Sequence, residues 1–385
     1  GDHRDLHLSI RRQRQMCIRD RDRILKLAGK SPWKPFRKMA MREVEKWTLT
    51  HQEEEGDWAG IQPAMLNSLL ALHFLGYSKE HPACVKGMEA VDRFLLEKED
   101  RLWMQACVSP LWDTAICLNA LMDSGVPTDH PALIKAGEWI LSILVVNLGD
   151  WQIKNPDAEP GGCAFEFYNE GYPDTDDTAE ILIALNRLDI PDVRKKLDEC
   201  QRAMNWLLNM QSENGGWGAF DTDNDKELLN EVPFADHKAL LDSPTIDVSS
   251  RILWMLSQWG FKREHPQVAR ALKFVKDNQE LDGCWFGRWG VIYIYGTFLA
   301  MNGLAAMRED MNQPFSRKAI KWLETHQNED GGWGETCQSY EEPSLRGRGN
   351  STASQTAWAL LGLIAGSEAT GNVAKRGVEF LLRTQ

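Results

Sequence analysis

The chain has 385 residues, of which 43% are apolar and 26% charged, with a formal net charge of −12. That length supports a large core and two domains, and the acidic balance excludes general nucleic-acid binding, which needs a basic footprint. No apolar run reaches the ~18 residues a membrane-crossing helix needs.

Taken in chain order, residues 1–23 are polar and Arg-rich without helical periodicity. The run at 14–21 resembles translated non-coding sequence, so a non-native or disordered tail is expected there. In residues 24–42, Lys26, Lys30, Lys34, Arg37, Lys38 and Arg42 alternate with Leu25, Leu27, Trp33, Phe36 and Met39. Such a basic amphipathic pattern suits an anionic membrane surface, and an ordinary surface helix equally well. A repeat then begins. An aromatic residue near a helix end is followed by Gln and by a Gly-rich turn closing on Trp. It runs from Trp47 through Gln52 to Trp58, from Trp206 through Gln211 to Trp217, from Phe274 through Gln279 to Trp285, and from Trp322 through Gln327 to Trp333. A copy from Trp139 to Trp151 has lost its Gln. The glycine turn ends a helix, the indole can cover a neighbouring helix end, and the Gln amide can bridge open backbone groups.

Apolar residues at helical spacing predict helices over 114–121, 179–188, 248–256 and 355–364, and strand signals are few. The pattern predicts an all-α fold: helical hairpins side by side, which close readily into a double-layered α/α toroid. Residues 374–385 begin another copy of the repeat and stop at its Gln, so a C-terminal truncation is expected. The domain boundary is expected near Cys107–Ser109, with an incomplete first α/α barrel over 24–107 and a second over 108–385. The eight cysteines, Cys17, Cys84, Cys107, Cys117, Cys163, Cys200, Cys284 and Cys337, show neither Cys-x-x-Cys pairs nor zinc spacing with His. They are expected to be reduced core residues, and no metal is expected.

The sharpest motif is Tyr172-Pro173-Asp174-Thr175-Asp176-Asp177-Thr178-Ala179-Glu180. Its plain reading is an acidic helix start with Asp174 as N-cap. Its chemical reading is stronger. Three carboxylates in four residues cannot all ionise easily in a partly buried pocket, so the cluster keeps a proton. Protonating an alkene, a very weak base, needs such an acid, and the resulting cation needs aromatic faces worth ~1–2 kcal/mol each. The 16 tryptophans supply an unusual stock.

This motif, with the repeated Gln…Gly-x-Trp, resembles the bacterial squalene–hopene cyclase family. Gly60-Ile61-Gln62-Pro63, the segments 105–114 and 164–167, Trp285-Phe286-Gly287-Arg288-Trp289-Gly290, and 354–359 agree with it. The resemblance covers residues 24–385 and implies a class II cyclase without a cofactor, acting on squalene or a similar polyprene. It implies Asp176 as proton donor, flanked by Asp174 and Asp177 as charged, orienting carboxylates. Arg251, in the segment that begins at Asp247, matches a family position for a basic residue near the donor. Asp247 and Arg251 also share a helix face, which admits an ordinary surface ion pair. Asp113 matches another position near the acid. Trp112, Phe165, Trp289, Tyr295 and Phe220 match aromatics lining the cavity, and Ile61 and Gln62 match its far end. For each aromatic, plain core packing competes.

The resemblance further implies a monotopic enzyme on the cytoplasmic side of a bacterial membrane, and leaves a homodimer open. Asp176-Asp177-x-x-Glu180 looks superficially like a magnesium motif of class I synthases, but no second metal motif accompanies it. Asp221-x-Asp223-x-Asp225 lacks the glycine a calcium loop needs, since Lys226 stands there. Competing readings are a cyclase of another linear polyprene and a non-catalytic α/α toroid that binds lipid or protein.

Overall fold

The computed structural model describes residues 26–27, 30, 35–167, 169, 171–226 and 241–385. The expected tail at 1–23, Cys17, Leu25, Trp33 and Lys34 lie outside them. The described chain is helical, with thirteen α-helices and four short strands, and it divides into two compact units.

The first unit runs up to Pro110 and includes Glu166–Asn169. It holds α1 (Arg37–Thr50), α2 (Gln62–Leu75), α3 (Pro82–Arg93) and a hairpin of β1 (Leu95–Lys98) and β2 (Arg101–Met104). Trp58, Met65, Leu72, Ala90 and Phe94 form its core. The hairpin was not foreseen. Leu95 pairs with Met104 and both strands are exposed throughout, so no half-buried alternation marks them in the sequence.

The second unit starts at Leu111. Its elements are α4 (Pro110–Asp123), α5 (Pro131–Ser142), β3 (Cys163–Ala164), β4 (Pro173–Asp174), α6 (Thr175–Arg187), α7 (Val193–Asn209), α8 (Ile246–Gln258), α9 (Pro266–Asp277), α10 (Tyr293–Ala306), α11 (Pro314–Thr325), α12 (Ala353–Ala365) and α13 (Asn372–Thr384). The helices form two layers. In the inner one α8 packs between α6 and α10, and α10 packs against α12. Of these, α6, α8 and α10 bury nearly all their faces, every residue from Thr175 to Leu185 being buried, whereas α12 buries one face through Gln355, Thr356, Ala359, Leu360, Gly362 and Leu363. The outer helices α7, α9, α11 and α13 bury one stripe each. On α9 that stripe is Val268, Ala271, Leu272 and Val275, the spacing of a helix with one apolar face.

The repeat explains how the layers are tied. Each Gln amide donates to its own turn and to the second residue of the next outer helix. Gln211 Nε2 reaches Gly215 O and Gln267 O, both at 2.9 Å. Gln279 reaches Gly283 O and Phe315 O at 2.8 Å, and Gln327 reaches Gly331 O and Val373 O at 2.8 Å. The indoles of Trp217, Trp285 and Trp333 each donate to a carbonyl of the preceding helix's last turn, at 2.8 Å. Gln52 and Trp58 repeat the arrangement in the first unit. The turn demands glycine: Gly215 has φ +94°, and a Cβ there would lie 2.6 Å from Arg270 O. In the copy without Gln, the buried Trp151 indole N–H finds no partner among the described residues.

Two expectations need correction. Cys84, Cys163, Cys200 and Cys284 are buried free thiols, but Cys117 and Cys337 are exposed. Cys117 sits in an apolar stretch, yet it takes the outward position between the buried Ala115 and Leu118 of α4. Leu188, placed at the end of a helix by periodicity, is the extended residue after α6.

Candidate active site

The short β3–β4 ladder, pairing Cys163 with Asp174, delivers the chain to the start of α6. Asp174 is extended, and its carboxylate accepts the N–H groups of Asp176 (2.6 Å) and Asp177 (3.2 Å), a helix N-cap. Thr178 Oγ1 locks the turn by donating to Asp174 O at 2.6 Å and accepting from Cys163 N at 2.9 Å. Thr175 fastens it to the 216–220 turn, donating to Ala219 O and Gly218 O. The motif is thus an acidic helix start, but a buried one: Asp174, Asp176 and Asp177 are 6%, 7% and 1% exposed.

Burial governs their electrostatics. It pushes Asp174 and Asp177 well above the usual carboxylate range, and repulsion within the cluster pushes further. The two capping N–H bonds pull Asp174 the other way. Asp176 rises only to about 6, because the Arg251 guanidinium opposes burial. The Arg251 guanidinium thus restrains the rise of Asp176, and the cluster shares its protons.

Arg251 comes from α8. Its Nε donates to Asp176 Oδ1 at 2.8 Å, Nη1 to Glu180 Oε2 at 2.5 Å and Nη2 to the Tyr295 hydroxyl at 3.0 Å. The guanidinium carbon stands 4.8 Å over the Trp112 ring. Glu180 Oε1 accepts from Asn119 Nδ2 at 2.8 Å. The surface pair that spacing admits between Asp247 and Arg251 does not form: both are buried, and Arg251 reaches across to α6 instead. Asp247 Oδ2 accepts Trp289 N at 2.8 Å, and its buried Oδ1 has no partner among the described residues.

The aromatics divide. Tyr295 is buried and meets Trp358 edge-on at 4.8 Å between centroids. Trp289 is half exposed and meets Phe220 edge-on at 6.0 Å. Asp242 fixes the Phe220 turn, its Oδ2 accepting from Phe220 N at 2.6 Å and Asp221 N at 2.8 Å. Phe165 is half-buried beside β3, and Asp113 is exposed on the first turn of α4. Ile61 and Gln62 lie in the first unit, where Ile61 bridges to Cys107 and Gln62 N donates to Ala106 O at 2.9 Å.

Sequence reading missed Glu180 and Asn119 as partners of this site, and Trp358 beside Tyr295. Glu180 had a signal, four residues after Asp176 and hence on one helix face. Trp358 lay within the family-like segment 354–359 but was given no role there, and Asn119 had no signal.

The comparisons with known proteins follow this geometry. The squalene–hopene cyclase C-terminal domain matches residues 108–385, and the N-terminal domain matches residues 3–100. A squalene–hopene cyclase of Alicyclobacillus acidocaldarius is 45% identical over 352 residues, covering 91% of this chain and 56% of that protein. A dammaradiene synthase of Dryopteris crassirhizoma is 40% identical over 387 residues, 94% of this chain and 56% of that protein. The chain thus spans about half the length of the curated relatives it matches. Among solved structures, an ent-copalyl diphosphate synthase from Streptomyces platensis aligns with a TM-score of 0.55 at 18% identity, over 92% of this chain and 62% of that one, a likeness of fold. The chain belongs to the squalene–hopene cyclase family of class II triterpene cyclases.

Proposed function

We propose that the protein protonates squalene through Asp176 and cyclises it to hopene, with hopan-22-ol where water captures the last cation. The observation that carries this reading is the buried carboxylate cluster at the start of α6, with Arg251 bound to its middle member. The proton leaves a carboxyl oxygen of Asp176 and bonds to a carbon of the terminal alkene, leaving a tertiary cation. Each ring closure consumes one π bond and passes the charge onward. The last cation sheds a proton, giving hopene, or takes hydroxide from water as the water's second proton leaves. Substrate and hopene are isomers, and solvent returns the proton to Asp176. Nothing in this sequence of steps calls for a cofactor.

Asp174 and Asp177 crowd the donor, while Asp247, Arg251 and Asp113 set its surroundings. Trp112, Phe165, Trp289, Tyr295 and Phe220 offer ring faces to successive cations. The similarity to a dammaradiene synthase at 40% identity favours a second reading, in which the same first step ends in a different triterpene. Exposed Leu27, Phe36, Met39 and Trp47 beside Lys38 and Arg42 support monotopic attachment to the cytoplasmic face of a bacterial membrane. Flotation with vesicles rich in anionic lipid is expected to carry the protein up, and protein left at the bottom of the gradient would reject that attachment.

Squalene turnover read by gas chromatography tests the main reading. Pentacyclic product is expected from the protein of the complete reading frame, and Asp176→Asn is expected to lower turnover at least ~1000-fold. Undiminished product from a folded variant would remove Asp176 from the mechanism. A different cyclic product would select the second reading.

A further inference from the structure

Arg251 is the cation bonded to Asp176, and it is not given to Asp176 alone. Its three nitrogens bond three acceptors, and two are carboxylates: Asp176 through Nε at 2.8 Å and Glu180 through Nη1 at 2.5 Å. All three side chains are nine-tenths or more buried. Glu180 is itself held, since its second oxygen accepts from Asn119 Nδ2 at 2.8 Å. Asn119 in turn accepts from Arg187 Nη1 at 3.4 Å, and Arg187 pairs with Asp123 at 2.6 Å. A chain of bonds therefore runs from α4 through Glu180 to the guanidinium. Tyr295 contributes a neutral hydroxyl at 3.0 Å, and the Trp112 face closes one side of the guanidinium plane.

An alkene-protonating acid faces a conflict. A cation beside it makes the acid stronger, but a cation that neutralises it completely strips the proton before substrate arrives. We propose that Glu180 is a positioning residue that holds part of Arg251's charge away from Asp176, so that Asp176 keeps its proton while staying a strong acid. The inference rests on the reading of Asp176 as proton donor. Other charges reinforce the need. Asp174 and Asp177 on α6, Asp247 on α8 and Asp242 in the loop before it are further carboxyls at the site, and Asp247 and Glu180 act on Asp176 against Arg251. The Tyr295 hydroxyl from α10, the Cys163 thiol from β3 and the Tyr340 hydroxyl facing Asp247 are all pushed up by burial, and Arg288 faces Asp242. With Glu180 in place, one guanidinium serves two partners. With Glu180 neutralised, it settles on Asp176 and favours the anion.

The experiment is the pH profile of squalene turnover under saturation, from pH 5 to pH 8, in the protein of the complete reading frame. Parent, Glu180→Gln, Glu180→Asp and Asp176→Asn are compared, with melting temperature recorded for each. The parent's rate falls as pH rises through about 6, where Asp176 gives up its proton. In Glu180→Gln this fall moves to lower pH, and a move of about one unit lowers the ratio of rate at pH 7 to rate at pH 5 about fivefold. Glu180→Asp keeps the charge but loses the reach, so its ratio moves the same way by less. A role confined to folding would lower the melting temperature and leave the ratio unchanged. An unmoved ratio in whichever Glu180 variant folds overturns the proposal, with Asp176→Asn still inactive. Full turnover in Asp176→Asn overturns the donor reading beneath it and the proposal with it.

Discussion

Asp177 is the most deeply buried of the three acids, and its Oδ1 has no hydrogen-bond partner among the described residues. Burial, then the charges of Asp174 and Asp176, raise it well above 3.8. A carboxyl raised by folding favours its neutral form in the folded state. Its contribution to stability is complete below 3.8 and is lost as pH rises through the higher folded value. Asp177→Asn removes the charge and keeps the shape. It is expected to raise stability at pH 7 by about 1–3 kcal/mol, with the gain fading below about pH 4. Denaturant unfolding at the two pH values checks this, and an equal gain at both would rule out the charge as its source. At the same scale, Glu180 was half legible. Its spacing from Asp176 was visible, but Arg251 stands 71 positions away and Asn119 61 positions away, distances that no local pattern encodes.

Single helices are tied by the Gln amides. Gln279 closes two carbonyls at once, Gly283 O in its own turn and Phe315 O at the start of α11. Gln279→Ala opens both, and each was worth about 1 kcal/mol or more. A loss of about 2 kcal/mol is therefore expected, read as a lower melting temperature with squalene turnover kept below it. A loss within error would mean that water replaces the amide without cost. These ties were readable before the structure because the residues recur at fixed offsets and each has a definite donor. The β1–β2 hairpin was not readable, because exposed strands carry no alternation of burial. The outward turn of Cys117 was hidden for a related reason: α4 is apolar on several sides, so periodicity does not single out the buried one.

Across the second unit, the inner helices α6, α8 and α10, buried almost all round, stand against outer helices buried on one stripe. Composition and repeat spacing carried that arrangement, since the turns alternate with runs of each kind. What gathers at the active site was less legible: Trp112 on α4, Asp176 and Glu180 on α6, Arg251 on α8 and Tyr295 on α10 come from four helices. The family resemblance pointed to four of these five, and the network among them came only with packing. The Gln ties carry one more consequence. Each joins residues in sequence order, a turn to the outer helix that follows it, across 31, 56, 36 and 46 positions. No tie waits for a residue farther downstream than that. A ribosome releasing this chain therefore hands over each hairpin's fastening within roughly 2–11 seconds of the hairpin itself, at the ~5–20 residues per second of synthesis, so assembly can advance from the N-terminal side while translation continues.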